Sequence, residues 1–324
     1  MKGRTEENDS EKDNDMKKTF HLCLSAGNET MFRDEQDYIH GFNSFALALA
    51  KTGSTGLAEA FMCNHCHLLV QTEDHVRLMH EFRLSYSHYF NHKYHRVGRL
   101  GEEMHFSIEV EGFHHTVAAA CYVLRNPLHH GISPTPFGYP HSSANSIFRK
   151  ELGKFHENQI IGPRYHRRHI GKRACLPEHY DMSAEGLITR ESVLDIAQME
   201  NMFATPRAYC YHMTRKTSEE WLKEQEKDKN GRSRITLEVI EKGVETESVI
   251  QMLAYENGKS DYRKISDIGL CSEIDRAVRE RYGKTSVYQL STEEKQGLMK
   301  HYQSRYHMGE KQLRRCLAME YREY

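Results

Sequence analysis

The chain has 324 residues and a formal net charge of −1, with 38% hydrophobic and 28% charged residues. This composition is typical of a soluble globular protein and excludes a disordered chain. No apolar run approaches the roughly 18 residues that a transmembrane helix needs.

The first 16 residues are polar and charged, without the apolar core of a secretion signal, and we expect them to form a disordered tail. The eight cysteines are scattered and do not form the dense pattern of a small disulfide scaffold. These features favour a cytoplasmic protein.

Apolar periodicity predicts alternating strands and helices in the first half of the chain. In chain order they are a strand at 19–24, a helix at 34–51, strands at 57–62 and 65–71, a helix at 76–94, a strand at 104–110 and a helix at 113–125. We expect the last helix to stop at Asn126, because Pro127 cannot continue it. This order describes a compact α+β domain at 17–150.

The second half of the chain has a different pattern. Residues 151–190 are basic and contain two proline turns, so we interpret them as a connector, and 191–324 are expected to be all-α. Helices are predicted there at 265–282, 292–305 and 310–319. The last two resemble a helix-turn-helix, in which Lys311, Arg314 and Arg315 could face a DNA groove. A small helical bundle with a solvated charged face is the alternative.

The strand at 65–71 carries the strongest chemical signal. His65 and His67 are two residues apart, so they share one face of the strand, while Cys66 points to the other. Two imidazoles on a rigid strand form half of a metal site. A zinc cluster that adds Cys63 and Cys66 is a rival interpretation, but a continuous strand places Cys66 on the wrong face.

The helix at 113–125 supplies the other half. Tyr122 and Asn126 are four residues apart, about one helical turn, so they lie on one face. If that face packs on the strand, two imidazoles and an amide oxygen meet beside a phenol. Mixed nitrogen and oxygen ligands suit Mg²⁺ or Mn²⁺ and also admit Zn²⁺. A core role for Tyr122 and a left-handed helix-end role for Asn126 remain the structural alternatives.

A run of basic residues follows the α+β domain and is interleaved with aromatic ones. It is either a solvated linker or a surface that contacts phosphates. Its candidate DNA-binding residues are Arg149, Lys150, Lys154, Arg164, Arg167 and Arg168.

Several short motifs occur in a fixed order and spacing between residues 19 and 148. They are Phe20-His21-Leu22, residues 31–38, Asn64-His65-Cys66-His67, residues 85–91, residues 96–100, Tyr122 with Asn126-Pro127, and Tyr139-Pro140 with Ser142-Ser143. In these motifs the stretch resembles the single-tyrosine transposases of the HUH endonuclease superfamily, most closely the REP-associated tyrosine transposases.

The resemblance implies a ferredoxin-like antiparallel sheet with helices on one face. It implies His65 and His67 as metal ligands, Asn126 as a third ligand and Tyr122 as the nucleophile. The family cleaves single-stranded DNA beside hairpins through a covalent 5′-phosphotyrosine and then transfers or rejoins strands. We therefore expect hairpin DNA as the partner, Mg²⁺ or Mn²⁺ as the cofactor, and a monomer or homodimer.

The chain departs from the family pattern at three places. Gly101-Glu102-Glu103-Met104 replaces an aromatic and basic stretch, His141 stands where the family has Trp, and Leu128-His129-His130-Gly131 replaces a basic, small-residue run. Residues 17–150 also carry as many acidic as basic residues. A catalytically silent DNA-binding regulator derived from such a transposase is therefore the alternative function.

Overall fold

The computed structural model describes residues 17–27, 29–130, 132–154, 159–170, 174–214, 265–306 and 308–319. The predicted disordered tail, 1–16, lies outside these ranges, as do residues 215–264 of the predicted helical region. Within the described ranges, no helix combines the length and the apolar character needed to cross a membrane.

The strands are β1 (Lys18–Ser25), β2 (Thr55–Phe61), β3 (His65–Thr72) and β4 (Phe106–Glu109). The helices are α1 (Glu35–Thr52), α2 (His75–Tyr94), α3 (Phe113–His129), α4 (Pro163–His166), α5 (Arg190–Val193), α6 (Ile196–Phe203), α7 (Pro206–Thr214), α8 (Asp267–Tyr282), α9 (Thr292–Tyr306) and α10 (Glu310–Cys316). Each helix and strand whose bounds the sequence predicts is found with similar bounds, except that α3 ends later than predicted.

The four strands form one antiparallel sheet in the order β2-β3-β1-β4. With α1 after β1 and α2 after β3, this is the predicted ferredoxin-like topology, and the α+β class is confirmed. The central strands β3 and β1 are buried along most of their length, which explains their nearly continuous apolar sequences.

Helices α1 and α2 cover one face of the sheet, as predicted. Their apolar stripes pack on Leu22, Leu68 and Val70, which belong to the largest core cluster. Asp34 caps the N-terminus of helix α1: its side chain accepts from the amide of Asp37, and the Asp37 side chain accepts from the Asp34 amide in return.

Helix α3 lies against the opposite face, where Ala119, Val123 and neighbouring apolar residues pack on Leu57 and Leu69. The prediction that this helix ends before Pro127 is wrong, because α3 continues through Pro127 to His129. Proline removes a single N–H donor, and the amide of His130 still donates to the carbonyl of Asn126 at 3.0 Å. Asn126 is therefore helical and not a left-handed helix end.

Part of the basic stretch 151–190 packs against the α1 side of the core. Met182 and Ile188 are fully buried in that cluster. The amide of Asn43 in α1 donates to the Gly186 carbonyl, and its side-chain oxygen accepts from the amide of Ile188. These contacts fix the stretch to the domain.

The C-terminal helices α8, α9 and α10 form an apolar cluster of their own, as expected for an all-α region. Buried polar contacts connect it to the α+β domain. Arg33, fully buried, donates to both carboxylate oxygens of Asp275 in α8 and to the carbonyl of Cys316. The carboxylate of Asp267 accepts from the Cys63 thiol at 3.2 Å.

Candidate functional site

The histidines of β3 lie on the α3 side of the sheet, and both are fully buried. Their ring centroids are 5.1 Å apart. Cys66, between them, packs into the opposite core with α1 and α2. The alternation of a β-strand thus places His65 and His67 together, as the sequence predicts.

Helix α3 brings Asn126 to the same place. The Oδ1 atom of Asn126 lies 3.3 Å from Nε2 of His65, although the two residues are 61 positions apart in the chain. The other ring nitrogen of His65, Nδ1, lies 2.9 Å from Oδ1 of Asn64, which orients the ring from the other side.

Tyr122 lies one helical turn before Asn126 and faces the same histidines. Its ring centroid is 5.2 Å from that of His67 and 5.7 Å from that of His21, in edge-to-face geometry. The side chain is buried, with 2% of its surface exposed. The four residues that the sequence proposes therefore meet in one cluster between β3 and α3.

His21 of β1 is a member of this cluster that sequence reasoning missed. Its Nε2 atom lies 3.0 Å from Nδ1 of His67, and the two rings are stacked. Its position between Phe20 and Leu22 puts it on the histidine face of the sheet, but only the pairing of β1 with β3 brings it to His67.

His130, just after α3, is a second unforeseen member. Its ring centroid is 5.3 Å from that of His65, and the residue is 3% exposed. Neither of its ring nitrogens has a hydrogen-bond partner among the described residues. The signal in the sequence is the His129-His130 pair that replaces the family's basic, small-residue run.

Burial keeps these imidazoles neutral. Loss of solvation lowers the pKa of His21 and of His65 to about 3, and it lowers the pKa of His130 to about 4. The pKa of His67 is also lowered, first by burial and then by the neighbouring histidines. Neutral imidazoles keep a free lone pair, which is the form that ligates metals.

The donor set fits a divalent cation. Two ligands of one octahedral ion at about 2.1 Å are roughly 3 Å apart, which is close to the separation of His65 Nε2 and Asn126 Oδ1. Nε2 of His67 is buried and has no hydrogen-bond partner in the part of the chain that the structure describes, so it can serve as a third ligand. Among the described residues, no group of three or more His, Cys, Asp and Glu side chains is arranged to hold a metal ion.

The rival zinc cluster is not assembled. Cys66 points into the opposite core, and the thiol of Cys63 donates to Asp267. Burial raises the pKa of both thiols, which disfavours the thiolate that zinc requires.

The basic residues after the α+β domain lie in different surroundings. Arg164, Arg167 and Arg168 are exposed, and two of them cover the ring of Tyr165, with guanidinium-to-centroid distances of 4.6 Å for Arg164 and 5.0 Å for Arg168. Lys150 and Lys154 are also exposed.

Arg149 forms an ion pair with Glu191 at 3.0 Å. Together with Lys154 and Arg190 it lines a cleft of about 500 Å³ that also exposes serine and threonine side chains. The arginines around Tyr165 lie in the sequence between the two segments that line this cleft, 140–154 and 183–191.

The candidates in the last helix are placed unevenly. Lys311 is partly exposed, and Arg314 pairs with Glu310 one turn earlier. Arg315 is 1% exposed, and its Nε donates to Asp267 at 2.7 Å. Arg315 therefore faces the interior and does not face a groove, because the helix docks with this side against α8.

Comparisons with known proteins were made at the level of families, sequences and structures. No family model matches the chain, and no curated protein matches it. A solved structure described as "Structure of the REP associates tyrosine transposase bound to a REP hairpin" is similar, with 11% identity, 42% of this chain and 80% of that chain covered, and a TM-score of 0.36.

Proposed function

We propose that this protein is a metal-dependent single-stranded DNA endonuclease and strand transferase that acts at hairpin or palindromic DNA. In this proposal Tyr122 is the nucleophile, and His65, His67 and Asn126 hold Mg²⁺ or Mn²⁺. The observation that carries it is the meeting of these four residues, from two elements distant in sequence, in one buried cluster.

The chain's residues suit a transesterification at phosphorus. The phenolic oxygen of Tyr122 attacks the scissile phosphate, the bond from phosphorus to the 3′ oxygen breaks, and a 5′-phosphotyrosine and a free 3′-hydroxyl result. The phenol loses its proton and the leaving oxygen gains one, so the step is balanced. A divalent cation, when bound, polarises a phosphate oxygen and stabilises the developing charge.

The site must open before DNA can enter. Tyr122, His65 and His67 are almost completely buried, so a phosphate cannot reach them in this arrangement. We therefore propose that the side chains covering Tyr122, including the stacked ring of His129, move aside when the substrate binds, while α3 keeps Asn126 beside His65.

The basic surface around Tyr165 suits the hairpin backbone. Exposed arginines beside an aromatic ring combine phosphate contacts with base stacking, which is how proteins bind single strands. Replacement of Arg167 by Ala is expected to weaken binding to different hairpins equally and to reduce the slope of affinity against salt by about one. Arg207→Ala, an exposed arginine in α7, is the control.

The test is a cleavage assay on labelled hairpin oligonucleotides with Mg²⁺ or Mn²⁺. We expect a covalent protein–DNA adduct in the wild type and none in Tyr122→Phe. The control is Tyr209→Phe, a buried tyrosine of the same apolar cluster that donates to the Ala144 carbonyl, which should keep the adduct. An adduct that persists in Tyr122→Phe would exclude Tyr122 as the nucleophile.

One observation favours the second candidate, a silent DNA-binding regulator. Tyr122 is buried among apolar side chains of α3, as a core residue would be. This function predicts that the protein binds hairpin DNA but forms no covalent adduct with it in Mg²⁺ or in Mn²⁺. It also predicts that the wild type and Tyr122→Phe bind the hairpin equally well.

A further inference from the structure

We propose that His21 is a positioning residue for the metal site, accepting the Nδ1 proton of His67 and so holding His67 in the form that presents Nε2 to a divalent cation. This inference deepens the proposed function, because it relies on His67 as a ligand. It assigns a role to a histidine that the proposed function does not use.

The sheet register brings the two rings together. In the antiparallel pairing of β1 with β3, His21 lies opposite Leu69, two residues along the strand from His67. Such diagonal neighbours on one face are within reach of long side chains. Nε2 of His21 and Nδ1 of His67 are 3.0 Å apart, and both residues are fully buried, so water does not compete for this bond.

Only one of the two nitrogens can carry the proton when both rings are neutral. If His21 donates, the proton of His67 is on Nε2, which then cannot bind a cation. If His67 donates, its Nε2 keeps a lone pair and the proton of His21 is on Nδ1. At His21 Nδ1 and His67 Nε2, each arrangement leaves one buried N–H and one buried lone pair that find no partner among the described residues.

A cation at His67 Nε2 selects the second arrangement. Ligating histidines usually donate their other ring N–H to a fixed acceptor, and loss of that acceptor typically weakens metal binding by about 10- to 100-fold. Here the acceptor is the imidazole of His21 and not the carboxylate or carbonyl that is usual. Without it, the Nδ1 proton of His67 would be buried and unpaired, so the tautomer that binds the cation would lose the hydrogen bond that stabilises it.

The protein contains a second histidine pair that serves as a control. Nδ1 of His75 and Nε2 of His105 are also 3.0 Å apart. This pair is partly exposed, and His75 packs on Phe20, which belongs to the α1 and α2 side of the sheet. A change at His75 removes a bond of the same type without touching the cluster.

The experiment measures Mn²⁺ binding by the full chain without DNA, for the wild type, His21→Phe, His21→Gln and His75→Phe. Phe keeps a ring stacked on His67 but has no acceptor, whereas Gln offers an amide oxygen. We expect Mn²⁺ affinity to fall about 10- to 100-fold in His21→Phe and to stay within about threefold in His21→Gln and His75→Phe.

Side-chain ¹⁵N–¹H correlation spectra provide a readout that a structural role would not move. In the wild type with a diamagnetic ion, Mg²⁺ or Zn²⁺, the proton of His67 should be on Nδ1, and in His21→Phe the population of that tautomer should fall. If His21→Phe does not fold, judged by circular dichroism, His21→Leu replaces it.

Three results would overturn the inference. The first is an unchanged Mn²⁺ affinity in His21→Phe. The second is an equal loss of Mn²⁺ affinity in His21→Phe and His21→Gln, which would indicate that His21 is itself a ligand. The third is no Mn²⁺ binding by the wild type. Tight Mn²⁺ binding with the expected pattern but no DNA adduct would instead leave the role of His21 intact and contradict the proposed nuclease.

Discussion

The protein buries polar side chains in two regions that differ in how those side chains are paired. Where the C-terminal helices meet the α+β domain, Asp267 accepts from Arg315, Gln312 and Cys63, and Arg33 donates to Asp275. In the cluster between β3 and α3, by contrast, several buried nitrogen atoms have no hydrogen-bond partner among the described residues: His67 Nε2, Asn126 Nδ2 and both ring nitrogens of His130.

The difference separates a structural role from a functional one. A buried polar atom without a partner costs roughly 1–3 kcal/mol, so a cluster of such atoms persists only if something other than stability retains it. Paired charges, in turn, connect two parts of a chain and fix their arrangement. The paired contacts of the interface are therefore architectural, and the unpaired nitrogens of the cluster support the proposal that it binds a ligand.

The largest expected effect is at the interface. Arg315→Met leaves the carboxylate of Asp267 buried without its cation, so the free energy of unfolding should fall by about 3–5 kcal/mol, measured by urea denaturation. The double variant Asp267→Leu with Arg315→Met should recover much of this loss, because no lone charge remains. If the free energy of unfolding of Arg315→Met falls by less than about 1 kcal/mol, the interface is not stabilised by this ion pair and does not differ from the cluster in this respect.

The second effect should appear only in the cluster. Mn²⁺ at about one hundred times its dissociation constant should stabilise the wild type by about 2.7 kcal/mol, because it binds the folded chain alone. His65→Phe should lose this stabilisation, whereas Asp275→Asn, which changes the interface, should keep it. Thermal unfolding with and without Mn²⁺ measures the stabilisation of each variant. If Mn²⁺ still stabilises His65→Phe, the ion does not bind at His65.

A third test concerns pH. Burial lowers the pKa of His141 to about 3, with Arg190 adding to the effect, whereas the unfolded chain has a value near 6.5. The unfolded state therefore binds more protons between these values, and stability falls as the pH drops from about 6.5 towards 3.

His141→Phe should keep the stacking on Tyr38 and remove this contribution. The wild type should then lose stability more steeply on acidification, by up to about 1.4 kcal/mol per pH unit. Denaturation at several pH values between 7 and 4 measures the two slopes, and equal slopes would show that His141 is not buried as a neutral ring.

The smallest expected effect is a gain. His130 has two buried nitrogens that contact no hydrogen-bond partner within the described ranges, so His130→Leu removes an unfavourable burial and should raise the free energy of unfolding by about 1 kcal/mol without metal. At the interface, Gln312→Leu removes hydrogen bonds to Ile265 and Asp267 and should lower the free energy of unfolding. A loss of stability in His130→Leu would mean that the histidine has a structural role.

The order of elements and the shared face of His65 and His67 were predictable, because both depend on local periodicity. Helix α3 was predicted too short, since a single proline removes only one donor and packing on the sheet outweighs that loss. Local rules therefore placed the candidate residues on shared faces but misjudged one boundary.

The roles of His21 and Arg315 could not be read from the sequence for a different reason. Each depends on a partner far along the chain: His67 is 46 residues from His21, and Asp267 is 48 residues from Arg315. Helical spacing predicts which face of the helix carries Arg315, but it does not predict whether that face contacts DNA or another helix.

The contacts of Arg33 join segments of the chain that are synthesised at different times. Its partner Asp275 lies 242 residues later and the carbonyl of Cys316 lies 283 residues later. At roughly 5–20 residues per second, a ribosome needs about 15–60 s to make that stretch. The sheet and its histidines therefore emerge long before the helices that bury Arg33, and docking of those helices should follow the folding of the sheet.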